Sequence, residues 1–320
     1  MEIKADRRTT PSFSLAQLAA QLKRLDYLWL VLPALLLYGI FFLYPSGLAA
    51  RLSLYDWSGI GTDMNFVGLA NFGRMLASPE FWDALVHTVW FFVAIAAFQS
   101  TIGLFIAILL NARPRFHQVY RIILFLPVTL SLVNTGFIWQ LMLSSQFGLV
   151  NPMLEAIGLG FLGRPWLADL DTALAAVIMV QAWQWMGLPI VVFLAGLQNV
   201  RQDLTESALI EGANRWQIFR HITFPQLAPA FTAITMLCFI RMFKVFDVVY
   251  VLEGVTGSPA GRTSTLATLI YSAAFGSGGG YSTVFEMSYA MAIAVTSSLV
   301  LLIFAALLLY LLRQRERDLY

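Results

Sequence analysis

The stretch "ESALIEGANRWQIFRHITFPQLAP" runs from Glu206 to Pro229. It sets acids, bases, a glycine and two prolines into a chain that is 59% hydrophobic and only 12% charged. Its punctuation is helical. Asp203, with Glu206 three residues on, can cap one short helix, and Gly212 can end it in a left-handed conformation. Asn214, with Gln217 three residues on, can cap a second helix, in which Trp216, Phe219 and Ile222 repeat at roughly helical spacing. Pro225 and Pro229 then open the next apolar helix, where first-turn amides lack helical partners anyway. The block therefore reads as helix, tight turn and helix, a water-facing knob with aromatics on it.

What surrounds the knob is oil. A mean hydropathy of +0.73 over 320 residues exceeds what a soluble domain carries without large exposed apolar patches. The expected class is all-α and polytopic, with six stretches long and apolar enough to cross a bilayer: Tyr27–Ala49, Thr88–Leu110, Tyr120–Leu143, Thr172–Ala195, Ala228–Leu252 and Val284–Leu312. An even number of spans puts both tails, 1–26 and 313–320, on one side. Fourteen Lys and Arg fall in the tails, around the second connection and in the fourth, against Arg51, Arg74, Arg164 and Arg262 in the other loops. By the positive-inside rule both tails are cytoplasmic, and so is the knob. The N-terminus is expected to remain as an anchor, since its first apolar run is too long for a cleaved signal. Leu15, Leu18, Leu22 and Leu25 place one apolar face on a short interfacial helix before it.

The knob also carries a motif. Glu206-Ser207-Ala208, three residues, Gly212, nine residues and Ile222-Thr223-Phe224-Pro225 resemble the EAA loop of binding-protein-dependent ABC importer permeases, E-A-A-x3-G-x9-I-x-L-P. Ser207 stands where that family usually has Ala, and Phe224 where it has Leu. "YLWLVLPALLLYGIFFLYP", "FVGLANFGRMLASPEFWDALVHT" and "FKVFDVVYVLEGVTGSP" extend the likeness to maltose-type carbohydrate permeases. The resemblance implies the type I importer permease fold, with residues 27–312 as the membrane domain and 203–225 as the coupling loop. It also implies that Glu206, Ser207, Ala208, Gly212, Ala213, Ile222 and Pro225 engage a cytoplasmic ATPase. Two copies of that ATPase would hold ATP and Mg, and this chain would hold no cofactor. The other implied partners are a second, homologous permease subunit, an extracytoplasmic solute-binding protein and a sugar, in a bacterial inner membrane.

Chemistry on the chain itself is sparse. No Gly-Lys dipeptide occurs, so no phosphate loop of the G-x4-G-K-[ST] kind exists. The histidines at 87, 117 and 221 fit no metal spacing, Cys238 has no partner cysteine, and no nucleophile has a matching base. Nothing points to nucleic acid. Polar residues at span depth are more telling, because they are costly there. Gln99, Asn134, Gln181, Gln184 and Arg241 fall at similar depth in four spans, with Trp185 and other aromatics nearby to offer ring faces for a sugar. Amides at such positions often only join helix to helix. Lys244 and Asp247 lie three residues apart and can neutralise one another. A carbohydrate is the expected solute, and Arg241 leaves an anionic one, such as a uronate or glycerol phosphate, as the alternative. An ion-driven carrier would leave the knob unexplained, and a lipid-sugar enzyme would lack its catalytic carboxylates.

Overall fold

The computed structural model describes residues 31–112, 115–255, 257, 259–276 and 285–317. The expected interfacial helix at residues 15–25, the glycines at 278–280 and the end of the chain after 317 lie outside them. The described chain is helical apart from one small antiparallel ribbon, β1 (Tyr55–Asp56) with β2 (Asn65–Phe66), in which Tyr55 faces Phe66. The described residues up to 51 and those from 52 on form two compact units. In the first, α1 (Val31–Leu52) includes a wider π-type turn at Gly39–Leu43.

The second unit begins with the ribbon, which Asn71 clamps by donating to the carbonyls of Ser53 and Tyr55, both at 2.8 Å. Asn71 belongs to α2 (Ala70–Ala77). Ser78 then caps α3 (Pro79–Asn111): its hydroxyl accepts from the Phe81 amide, and Pro79 stands at the first helical position. Buried residues recur along α3 at Phe81, Ala84, Thr88, Phe91, Ile95, Gln99, Gly103 and Ala107, steps of three and four that keep one face inward. Against that face pack α7 (Ala173–Gln184), α8 (Gly187–Gln198), α11 (Ala228–Met242) and α13 (Leu266–Phe275). Phe91, Ile95, Phe193, Ile234 and Val248 centre the larger core. A smaller one joins α2, α3, α13 and α14 (Met287–Arg317) through Met75, Phe81, Leu266 and Ile293. Arg74 reaches from α2 to the start of α14, paired with Glu286 and lying 4.2 Å over the Tyr289 ring.

Several apolar stretches that read as continuous are broken. The stretch expected at 120–143 is α4 (His117–Phe125), a 3-10 turn Leu126–Thr129 and α5 (Leu132–Met142), with a 97° bend. Pro127 sits in that turn, where it has no amide to contribute. Between α7 and α8 the chain bends by 49° at Trp185 and Met186. Residues 243–246 interrupt the stretch expected at 228–252, leaving α11 and a separate α12 (Asp247–Glu253). Hydropathy counts apolar residues and is blind to such turns. α12 lies directly on α5: a Cβ added at Gly136 would stand 2.7 Å from Val251, closer than side chains approach.

Candidate functional site

The knob is a helical hairpin. α9 (Gln202–Ile210) starts at Arg201 without a side-chain cap. Asp203 is in its first turn, ion-paired at 2.5 Å with Arg201, whose guanidinium hydrogen bond holds this carboxyl below the usual carboxylate range. The helix ends as its glycine demands. Gly212 has φ +85°, its amide bonds the Leu209 carbonyl at 3.1 Å, and the Ala213 amide bonds that of Ala208 at 2.9 Å. That pair of bonds is a Schellman turn, which closes the carbonyls a helix end leaves open. α10 (Arg215–Gln226, with a π-type turn at Phe219–Thr223) then starts on a complete capping box. The Asn214 side chain accepts from the Gln217 amide at 2.9 Å, and the Gln217 side chain accepts from the Asn214 amide at 2.8 Å.

Two features of the hairpin escape the motif. The Gln226 side chain accepts from the Arg201 amide at 3.1 Å and donates to the Ile222 carbonyl at 3.1 Å, joining the two feet. A run of ring contacts leads inward: Trp216 to Phe219 at 5.7 Å, Phe219 to Phe224 at 6.1 Å, Phe224 to Phe231 at 5.4 Å and Phe231 to the fully buried Phe193 at 4.8 Å. Outward, Glu206 and Ser207 are exposed while Ala208, Ala213, Ile222 and Pro225 are half-buried. Ile210, 88% exposed, and Trp216, 64% exposed, make the tip apolar. Glu206 also lines a cleft of about 740 Å³ with Asn111, Gln198, Gln202 and Thr205. Exposed apolar side chains thus stand beside a carboxylate at the end of a well-capped hairpin, an arrangement suited to contact with another protein.

The polar residues at span depth divide into two groups. Gln99 is fully buried; its Nε2 donates to the Ala182 carbonyl at 3.4 Å and its Oε1 accepts from the Cys238 thiol at 3.1 Å. It joins α3, α7 and α11. Replacing Gln99 with Met should cost about 1 kcal/mol, read as a lowered thermal midpoint of the purified protein. Gln184, 1% exposed, donates to the Leu130 carbonyl at 3.2 Å, supplying a partner where the backbone turns between α4 and α5. The Oε1 atoms of Gln181 and Gln184 are buried without protein partners. Asn134 is exposed on α5.

Arg241, in the last turn of α11, lies 4.5 Å over the Trp185 ring and donates from Nε to the Leu237 carbonyl at 3.2 Å. Lys244 is exposed in the break before α12, and Asp247 is in that helix's first turn. No ion pair joins them among the described residues. The expected mutual neutralisation is therefore absent, because the chain leaves helical geometry between the two. Among the described residues no group of three or more His, Cys, Asp or Glu could hold a metal ion.

Long apolar helices, three of them broken at sharp bends, around buried amides and an exposed hairpin define a multi-pass membrane protein. Residues 99–318 match the family described as binding-protein-dependent transport system inner membrane component, and the chain belongs to that family. It is 36% identical over 293 residues to the lactose transport system permease protein of Rhizobium radiobacter, covering 90% of this chain and 94% of that one. The trehalose/maltose transport system permease protein of Thermococcus litoralis is 32% identical over 248 residues, covering 78% and 82%. In fold the chain resembles a bacterial ABC transporter involved in the import of the acidic polysaccharide alginate. That likeness has a TM-score of 0.75 at 22% identity, over 93% of this chain and 99% of the other.

Proposed function

We propose that this chain is the membrane-spanning permease subunit of an ATP-driven sugar importer in a bacterial inner membrane. Six spans within residues 27–312 carry the solute, both tails are cytoplasmic, and the hairpin at 203–225 docks on a cytoplasmic ATPase. The single observation behind this reading is the hairpin itself. Its Schellman turn at Gly212 and capping box at Asn214 hold Glu206 and an apolar tip outward, where a separate protein can grip them. In this reading Glu206 meets a basic residue of the ATPase, while Ser207, Ala208, Gly212 and Ala213 shape the seat and Ile222 and Pro225 fix its foot. Two ATPase copies bind ATP and Mg and close together, drawing on this hairpin and on that of a second permease subunit, a homologue of this chain. The spans then alternate between inward-facing and outward-facing states. A binding protein outside delivers the sugar; the relatives named for lactose and for trehalose and maltose support that class.

Co-purification tests the reading. The tagged chain should bring an ATPase out of native membranes, and Glu206→Lys or Gly212→Pro should each lose it. A wild-type chain that emerges alone, in vesicles that still take up sugar under an ion gradient, would replace the importer by a carrier.

A further inference from the structure

Arg241 presents an unbalanced charge. One guanidinium nitrogen, Nη1, is buried without a hydrogen-bond partner, and no carboxylate lies within ion-pair distance among the described residues. What the guanidinium does have is a single carbonyl, Leu237, and the face of Trp185. A half-buried cation among apolar helices without a counter-charge is costly, and such a residue ordinarily marks the path of a solute or ion.

Its surroundings favour a particular visitor. Trp185 stands at the break between α7 and α8, the kind of interrupted helix at which membrane carriers place their ligand groups. On that same helix, within one turn before Trp185, Gln181 and Gln184 hold buried amide oxygens with no donor. Lys244, three residues beyond Arg241, is a second cation and has no ion pair among the described residues. Two idle acceptors suit hydroxyl groups, a ring face suits a pyranose, and a guanidinium suits a carboxylate or phosphate. A protein carboxylate would use only the last of these. Resting on the permease reading above, we propose that Arg241, oriented by Trp185, is the specificity-determining residue of the solute path, and that the solute is a saccharide bearing a carboxylate or phosphate group.

The test uses the complete importer, with its binding protein, in vesicles supplied with radiolabelled digalacturonate, glucose 1-phosphate or lactose. Uptake of one of the two charged probes is expected, and which one tells carboxylate from phosphate. Arg241→Gln should lower that uptake about 100-fold, Arg241→Lys should recover part of it, and the second permease subunit and ATPase should still co-purify with both variants. Uptake of lactose alone, or of neither charged probe, overturns the proposal. So does an Arg241→Gln chain that sheds the second permease subunit, because the counter-charge would then be that subunit's carboxylate. A wild-type chain that brings out no ATPase would instead refute the permease reading itself, before any probe is compared.

Discussion

Gly136→Leu should leave almost no folded protein in the membrane. The helix pair α5 and α12 is in contact at this point, and even a single methyl group at Gly136 would lie 2.7 Å from both Cβ and Cγ1 of Val251. Interiors packed at crystal-like density absorb such an addition only by moving backbone, so Gly136→Ala alone should cost about 1–3 kcal/mol. A leucine has several more atoms to place beyond the one that already meets Val251. The measurement is the thermal unfolding midpoint of the detergent-purified chain, or its yield where no folded protein is obtained. Val251→Gly in the Gly136→Ala background should restore part of the loss, since it removes the atoms that clash while adding the helix cost of a glycine, about 1 kcal/mol. An unchanged midpoint for Gly136→Ala would show the contact between α5 and α12 to be slack.

The second large effect should come from Phe224. Its ring touches Phe219 of the hairpin on one side and Phe231 of α11 on the other, and Phe231 in turn touches Phe193 in the core. Ring pairs of this geometry contribute about 0.5–1.5 kcal/mol each, so Phe224→Ala removes two of them and separates the knob from the helices behind it. The proposed docking surface at Glu206 and Ile210 is untouched. The expected result is an importer whose ATPase still co-purifies but whose sugar uptake falls at least about tenfold, whereas Phe224→Leu, which keeps apolar bulk and matches the family's usual residue, keeps most of it. Equal uptake by Phe224→Ala and wild type would show that the hairpin moves the spans through its backbone alone.

The local grammar of the hairpin was legible because every element of it acts within a few residues. Asn214 and Gln217 exchange hydrogen bonds across three positions, and Gly212 needs only its own φ to close the turn. Asp203 was misplaced by two residues: Arg201 occupies the capping position, and Asp203 serves as a first-turn acid beside it. The bends at 126–131 and 185–186 and the gap at 243–246 were not legible, since mostly apolar residues continue through them and Lys244 is the one charge among them. The partners of Gln99 were equally hidden, because Ala182 and Cys238 lie 83 and 139 residues away in sequence. Depth along a helix can be counted from sequence, but the direction a side chain faces depends on which neighbour arrives. That is why Gln99 is buried between helices while Asn134, assigned a similar depth, is exposed.

The clip formed by Gln226 carries a mechanical consequence. By holding the Arg201 amide it ties together two points 25 residues apart, so the base of the hairpin is closed by a side-chain hydrogen bond as well as by the helices themselves. One foot continues from α8 and the other runs into α11. While that bond holds, a push on the tip is shared between both feet, as a load on an arch is shared by its piers, and it reaches α11 across the 57° bend that follows Gln226.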